Sequence, residues 1–458
     1  MRTSLASLAT LLTLALSACG GPSAPSPDGG TPVQPGGDAG STLPTATGST
    51  FPDKDATNGL KPEESRSTAP ARCAWSTPGS PTWAASIPFA TASARPTAAA
   101  PPPGPSSPWA TSGFSGGHAH LAVGADGKAH LVWTRATSIL NGGGDVLYAT
   151  CASGCTSAAA WQSGVLISDT TANLLYEVPA GPSLAVDSKG RPRFLLKTPA
   201  VSTQYAACDA DCTQAASWTF TELSSHPTVG ASLAFFADAP RIAYVDGLNA
   251  TLYFRQCETG CTSAASWTAE TPMFWAENGH LELRLTSAGK PRLVYNQGTS
   301  GASDSAVTAN DWKTFYGSCE NNCTAAEQWT VQMLPLEAHQ GEYGLALALR
   351  RNGTPVVAFE NNDTGVSQIS CSSGCEAVGS SWTTQAVDTS DTVQAQIPAP
   401  LPNCTTGTPK AFWYPGENVR VALDGNDRPR FVFETYTLQQ CSISGSVTEG
   451  VRLARYAQ

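Results

Sequence analysis

The stretch LAVDSKGRPRFLLKTPAVSTQYAACDADCTQAASWTFTEL, residues 184–223, decides the fold. Two alternating apolar runs are joined by a turn rich in Gly and Asp. A third run with an aromatic residue follows, then a C-x3-C loop and a fourth run that begins at a tryptophan. Alternating runs separated by Gly and Pro turns are typical of β-hairpins. The stretch therefore predicts one sheet of four short antiparallel strands.

The same unit recurs along the chain. Five C-x3-C loops, each followed by a tryptophan, begin 49 to 62 residues apart, and the hairpin occurs six times. Periods near 50 residues built of short strands indicate propeller blades. The loops begin at Cys151, Cys208, Cys257, Cys319 and Cys371, and the hairpins align at Leu121, Leu184, Leu233, Leu283, Leu347 and Val421.

The predicted fold is all-β, a six-bladed β-propeller of four-stranded blades over residues 71–458. The sixth repeat ends in its third strand, and a Trp-led run at residues 82–87 matches a fourth strand. We therefore expect the last blade to be closed by N- and C-terminal strands. The residue after the aligned Leu or Val is alanine in five hairpins and Arg284 in the other, as expected where inner strands crowd an axis.

The first residues are an export signal. An apolar run after Arg2 precedes the string LSAC, residues 16–19, which fits a cleaved signal peptide over residues 1–18. LSAC resembles the lipobox of bacterial lipoproteins, which implies lipid attachment to Cys19; a plain secretory signal is the alternative. Residues 19–70 are rich in Gly, Pro and Ser and predict a disordered tether. We expect an outer-membrane or cell-surface lipoprotein whose membrane contact is the lipid anchor alone.

Composition narrows the partners. The net charge is −10 and no basic block is present, which excludes nucleic acid as a ligand because phosphate binding needs clustered basic residues. We expect a monomer that needs no cofactor and binds no metal.

The 14 cysteines point to disulfides, as is usual in exported proteins. The residue before the second cysteine of each C-x3-C loop is Gly, Asp or Asn, which suits a tight turn. Zinc is the alternative, but its knuckles usually separate cysteines by two residues. Cys73 is left as a free thiol, or it exchanges with Cys404 or Cys441. The predicted disulfides are Cys151–Cys155, Cys208–Cys212, Cys257–Cys261, Cys319–Cys323, Cys371–Cys375 and Cys404–Cys441.

The loops that lead into the next blade combine aromatic residues with carboxylates. Rings stack on the apolar faces of sugars, and acids accept hydrogen bonds from sugar hydroxyls, so these loops are candidates for glycan binding. Packing of the same residues on their own blades is the alternative. The candidates are Tyr176, Glu177, Trp275, Glu277, His339, Glu342, Tyr343, Trp413, Tyr414 and Glu417.

Further candidates stand where the inner strands begin: His118, His120, His280, Glu282 and Arg420. Blades one and four face each other across a six-fold axis, so His118 and His280 would converge. The spacing of His118 and His120 places both rings on one face of a strand. A metal or acid–base site and a solvated channel entrance are the two interpretations.

The position after the second-strand proline is basic in most blades. We expect these side chains to pair with carboxylates on a solvated face; a ring that binds an anion is the alternative. They are Arg193, Arg241, Arg292 and Arg430, with His130 in the first blade.

The recurring phrase LAxDxxGxPxxxY…LxYAxC…W resembles the repeats of secreted bacterial propellers of the sialidase-like, BNR type. The resemblance implies the fold. The sialidase Asp-box S-x-D-x-G-x-x-W is absent, and no catalytic residue is carried over, since one propeller scaffold carries many functions.

We therefore expect a non-enzymatic module that binds a glycan or a protein. The alternative is a glycoside hydrolase or polysaccharide lyase with a site over the axis, which would need paired carboxylates from among Glu277, Glu282, Glu342 and Glu417. A structural envelope protein is a third interpretation.

Overall fold

The computed structural model describes ten stretches of the chain: residues 46–52, 119–136, 144–169 without 156, 176–198, 202–276, 280–297, 313–361 without 338 and 343, 365–389, 410–441 and 444–456. These residues form six four-stranded antiparallel sheets. Their helical segments are 3-10 turns of three residues, and none of their helices has the length and apolarity to cross a membrane.

Each sheet is numbered here from its inner to its outer strand. The first three sheets are β2 (His120–Val123), β3 (Ala129–Ala136), β4 (Gly144–Cys151), β5 (Gln162–Asp169); β6 (Leu184–Val186), β7 (Pro192–Lys197), β8 (Thr203–Cys208), β9 (Trp218–Ser224); and β10 (Thr228–Phe236), β11 (Ala239–Asp246), β12 (Thr251–Gln256), β13 (Pro272–Trp275). The last three are β14 (Leu281–Leu285), β15 (Pro291–Gln297), β16 (Lys313–Cys319), β17 (Trp329–Met333); β18 (Leu345–Leu349), β19 (Pro355–Glu360), β20 (Gly365–Cys371), β21 (Trp382–Thr389); and β22 (Lys410–Leu423), β23 (Pro429–Cys441), β24 (Ser444–Tyr456), β1 (Ala46–Pro52).

All six predicted hairpins are confirmed, and they share one register. The aligned Leu or Val of each inner strand faces a large apolar residue of the second strand. The pairs are Leu121–Leu131, Leu184–Phe194, Leu233–Ile242, Leu283–Leu293, Leu347–Val357 and Val421–Phe431.

The inner strands contact one another in chain order, β2 with β6, then β10, β14, β18 and β22. Six repeated sheets whose inner edges meet in sequence have the arrangement of propeller blades. Closing of the ring between the sixth and first blades stays a prediction.

The sixth sheet combines strands from both parts of the chain, but with a different N-terminal segment from the one expected. Its outer strand is β1, which pairs with β24 from Ala46 opposite Tyr456 to Pro52 opposite Gly450. This strand lies within residues 19–70, for which the sequence predicts a tether. Residues 82–87, the predicted fourth strand, lie outside the described residues.

Neighbouring blades are joined by one repeated aromatic contact. The tryptophan that opens a fourth strand meets, edge-on, the buried aromatic residue on the third strand of the preceding blade. Ring centroids are 5.1 to 5.4 Å apart at interplanar angles of 66 to 70°. The pairs are Tyr148–Trp218, Tyr205–Trp267, Phe254–Trp329 and Tyr316–Trp382.

The same tryptophans are fixed to the C-x3-C loops. In four blades the indole N–H donates to the carbonyl oxygen of the second cysteine, for example from Trp218 to Cys212 at 2.7 Å. The fifth blade has one more residue between cysteine and tryptophan, and there Trp382 donates to the Ser380 hydroxyl instead. The spacing of the motif therefore sets the partner of the indole.

The five predicted disulfides within C-x3-C loops are confirmed. The residue before the second cysteine has positive φ in each loop, as at Asp211 and Asn322. Cys19, Cys73 and Cys404 lie outside the described residues, and only the backbone of Cys441 is described.

Trp267→Ala should lower the free energy of unfolding by about 3–5 kcal/mol, because it empties a buried site between two blades. Leu248→Ala is the control, since that side chain is 76% exposed, and it should change the free energy by less than about 0.5 kcal/mol. Urea unfolding followed by circular dichroism measures both. Equal effects would show that the aromatic contact contributes nothing beyond an exposed side chain.

Candidate functional site

The arginines after the second-strand prolines are buried structural clamps. Arg193, Arg241 and Arg292 are 4 to 8% exposed. Their Nη2 atoms donate at 2.6 to 2.7 Å to the acid that follows the first cysteine of the same blade, Asp209, Glu258 and Glu320 respectively. The predicted pairing with carboxylates is confirmed, but a solvated location is wrong for the guanidinium groups. An anion-binding ring is not favoured, because the chain supplies its own anions.

The first blade replaces this clamp with a neutral pair. His130 is 1% exposed, and its Nδ1 lies 2.6 Å from the Tyr148 hydroxyl. Burial, with Lys128 nearby, lowers the pKa of His130 to about 4. The imidazole is therefore uncharged at neutral pH, which agrees with Ala152 standing where the other blades carry an acid.

We call the face that carries the loops between blades the upper face, and residues 178–183 the axial segment. This segment leads into the second blade, yet it binds the inner strands of other blades. His120 Nε2 lies 2.9 Å from the Pro179 carbonyl oxygen, and Ala231 N donates to Ala180 O at 2.7 Å.

Gly181 lies at the centre of the axial segment. A Cβ built on it would stand 2.4 Å from Ala231 O in the third blade and 2.8 Å from Leu281 O in the fourth. Together with His120 of the first blade, these contacts bring three inner strands to one short segment. Since blades one and four oppose each other in a six-bladed ring, the axial segment crosses the axis beneath the upper face.

The predicted histidine site at the mouths of the inner strands does not form as expected. His120 is buried against the axial segment, and His118 lies outside the described residues. His280 precedes β14 and is partly buried. Within the described stretches, no group of three or more His, Cys, Asp or Glu side chains is placed to hold a metal ion.

Glu282 is buried rather than exposed as a catalytic carboxylate would be. It is 1% exposed, and its Oε2 accepts the Leu347 N–H of the next inner strand at 3.0 Å. Its carboxylate also pairs with Arg284, whose Nε donates to Leu347 O at 3.0 Å. Arg420 is likewise buried and donates to the Val419 carbonyl oxygen at 3.2 Å.

The remaining candidates form separate local pairs. Glu177 pairs with Lys197 at 2.8 Å, and His339 Nδ1 lies 2.9 Å from Glu342 Oε2. Tyr176 packs against the core between the first two blades, as the alternative interpretation proposed.

Trp275 lies at the end of β13, half-buried. Its buried indole nitrogen has no hydrogen-bond partner in the described part of the chain. Glu277 and Tyr343 lie outside the described residues, and for Trp413, Tyr414 and Glu417 only the backbone of β22 is described.

A group of side chains that the sequence analysis missed lies between the second and third blades. We call it the blade 2–3 cluster: His226, Tyr244, Asp246, Tyr253 and Glu270. Its three rings form one stack, with Tyr244 and Tyr253 centroids 5.3 Å apart at 19° and Tyr253 and His226 centroids 6.0 Å apart at 8°.

Two carboxylates flank this stack. Glu270 Oε1 accepts hydrogen bonds from the Tyr244 hydroxyl at 2.6 Å and from the Ser224 hydroxyl of the preceding blade. Asp246 is 0% exposed; it accepts from Leu248 N at 2.8 Å and lies 3.4 Å from His226 Nδ1. The cluster thus has a buried acidic base and an upper edge that His226 exposes to solvent.

Departure from the repeat is the sequence signal that could have revealed this cluster. Three residues after the tryptophan, the third blade has Glu270. The described blades otherwise have uncharged residues there, namely Gly164, Thr221, Gln332 and Gln385. Since those blades form without an acid at that position, the fold does not require one.

Comparison with known proteins adds fold-level likenesses only. No protein-family model and no curated protein matches the sequence. The structure is similar to a protein of unknown function from Dyadobacter fermentans, at 10% identity over 74% of this chain and 94% of that one, with a TM-score of 0.42. It is similar to the SapL1 lectin in complex with alpha methyl fucoside, at 11% identity over 70% and 92%, TM-score 0.39. An alpha-L-arabinofuranosidase from Lactobacillus brevis matches at 13% identity over 58% and 88%, TM-score 0.31. At these values the likenesses give no argument for function.

Gly181→Ala should lower the free energy of unfolding by about 2–4 kcal/mol, because the new methyl group meets two carbonyl oxygens and φ is positive. Gly127→Ala is the matched control: its φ is +77°, and nothing lies within 4 Å of the added carbon, so about 1 kcal/mol is expected. Denaturant unfolding of both variants measures the difference. Equal losses would mean that the axial segment is not closely packed.

Proposed function

We propose that this chain is an exported binding module that recognises carbohydrate on its upper face. The observation that carries the proposal is the axial segment, which crosses the inner strands where an axial catalytic pocket would lie. Aromatic rings beside carboxylates, in the blade 2–3 cluster above all, provide the contacts that sugars use. A rigid scaffold of this kind suits recognition, because it presents such groups without ordering cost on binding.

The rival function, glycoside hydrolysis or polysaccharide cleavage, is less favoured by the same residues. A glycosidase needs two carboxyl groups about 5–9 Å apart that flank the scissile bond. Of the four glutamates considered for this role, Glu282 and Glu342 have described side chains. Glu282 is committed to Arg284 and the Leu347 N–H, and Glu342 pairs with His339.

A glycan array scored for both retention and release of sugars tests the proposal. The full-length chain, purified in detergent, should be retained on a subset of glycans without shortening them. Released sugars would establish the enzyme instead. Failure of both readouts would contradict carbohydrate binding and favour a protein partner or a structural envelope role.

We further propose that the chain is held at the outer membrane or cell surface through lipid on Cys19. Five disulfides support an oxidising compartment outside the cytoplasm, and the LSAC string supports the lipid. Labelled palmitate should enter the protein in growing cells and should be absent from a Cys19→Ser variant. Equal labelling of both would contradict the lipid anchor.

A further inference from the structure

The blade 2–3 cluster reaches the upper surface at two points. The His226 side chain is 35% exposed, and Glu270 is half-buried. We propose that this surface binds one neutral sugar residue, with Glu270 and Tyr253 as its hydrogen-bonding groups. The inference rests on the proposed carbohydrate-binding function and adds the place and the class of sugar.

The cluster has hydrogen-bonding capacity that the described residues do not use. Both hydrogen bonds to Glu270 fall on Oε1, so Oε2 is available to a sugar hydroxyl. The Tyr253 hydroxyl has no hydrogen-bond partner in the described stretches. A carboxylate acceptor beside a phenol donor matches neighbouring hydroxyls on a sugar ring, since each hydroxyl both donates and accepts.

Tyr253 keeps its proton in this environment. Burial raises the pKa of Tyr253, and the negative charges of Asp246 and Glu270 raise it further. The hydroxyl is therefore a donor at physiological pH, and it lies close to both carboxylates.

The ring stack and its neighbours supply the apolar contact that sugar C–H faces need. Tyr244 and Tyr253 hold the His226 ring parallel to theirs, so the outer ring is fixed before a ligand arrives. Val229 and Leu248 are 39% and 76% exposed on the adjoining loops. The Val229 side chain lies against Gly247, 2.4 Å from where a Cβ would stand, so the two loops form one surface.

The local charge favours a neutral sugar over an acidic one. Asp246 and Glu270 are both carboxylates, and like charges repel a uronic, sialic or sulfated sugar. The nearby cation, Arg255, uses Nε on Thr268 O and Nη1 on Leu223 O. An anionic sugar would therefore meet two negative charges with the arginine already engaged.

The fourth blade shows that packing does not require these polar groups. It has the same kind of stack, formed by Phe274, Tyr295 and Phe315. Phe315, four residues before its cysteine, stands where the third blade has Tyr253. Gln332 stands at the position of Glu270. The rings alone satisfy the fold, so the hydroxyl and the carboxylate of the third blade have another use.

Titration calorimetry on the full-length chain tests the site, with methyl glycosides of a neutral hexose, a 6-deoxyhexose, an N-acetylhexosamine and glucuronic acid as probes. Glu270→Gln and Tyr253→Phe should each weaken binding of the best neutral glycoside about tenfold or more, because each removes one hydrogen bond to the ligand. Tyr253→Phe reproduces the residue of the fourth blade, so it should fold even if Glu270→Gln does not.

Glu258→Gln and Tyr295→Phe are the matched controls, since Glu258 pairs with Arg241 beside its C-x3-C loop and Tyr295 lies in the stack of the fourth blade. Both should bind as the unmodified chain does. Undiminished binding by the two test variants, with loss in Glu342→Gln, would overturn this site and leave the proposed function standing. Tighter binding of the glucuronide would overturn the neutral class. A chain that binds none of the probes in calorimetry and no glycan on the array would overturn both proposals.

Discussion

The edge-on contact between a tryptophan and the aromatic residue of the preceding blade is the interaction on which the rest of the structure depends. Each blade buries large rings on both of its faces, and the four described contacts repeat with nearly the same geometry. Edge-to-face pairs contribute about 0.5–1.5 kcal/mol beyond the area that they bury. The contact also fixes direction, because the third strand of one blade always meets the fourth strand of the next.

The C-x3-C loop serves this contact from the other side. Its second cysteine accepts the indole N–H, and its first cysteine accepts from the clamping arginine of the second strand, as in Arg292 with Cys319 at 3.3 Å. The disulfide holds the turn on which both acceptors stand. A blade with little charge therefore satisfies its buried arginine and its tryptophan within one five-residue loop.

The sequence was sufficient to predict the periodic part of this architecture. Alternation, turn residues and cysteine spacing are local, so they predict the hairpins, their number and five disulfides. The candidate site was predicted poorly because it depends on contacts between repeats. Ser224 meets Glu270 across 46 residues, and His120 meets Pro179 across 59. Aromatic–acid pairs adjacent in sequence, such as His339 with Glu342, were the easier ones to notice, and they turn out to satisfy each other.

The axial segment has a consequence for the size of the ring. Adding a blade widens the bore of a propeller, and removing one narrows it. Residues 178–183 touch inner strands of the first, third and fourth blades, and Gly181 leaves no room for even one methyl group between Ala231 and Leu281. A seventh blade would pull these strands away from the segment, and a fifth-only ring would crush it. The loop before the second blade thus acts as a gauge that admits six repeats and penalises any other number.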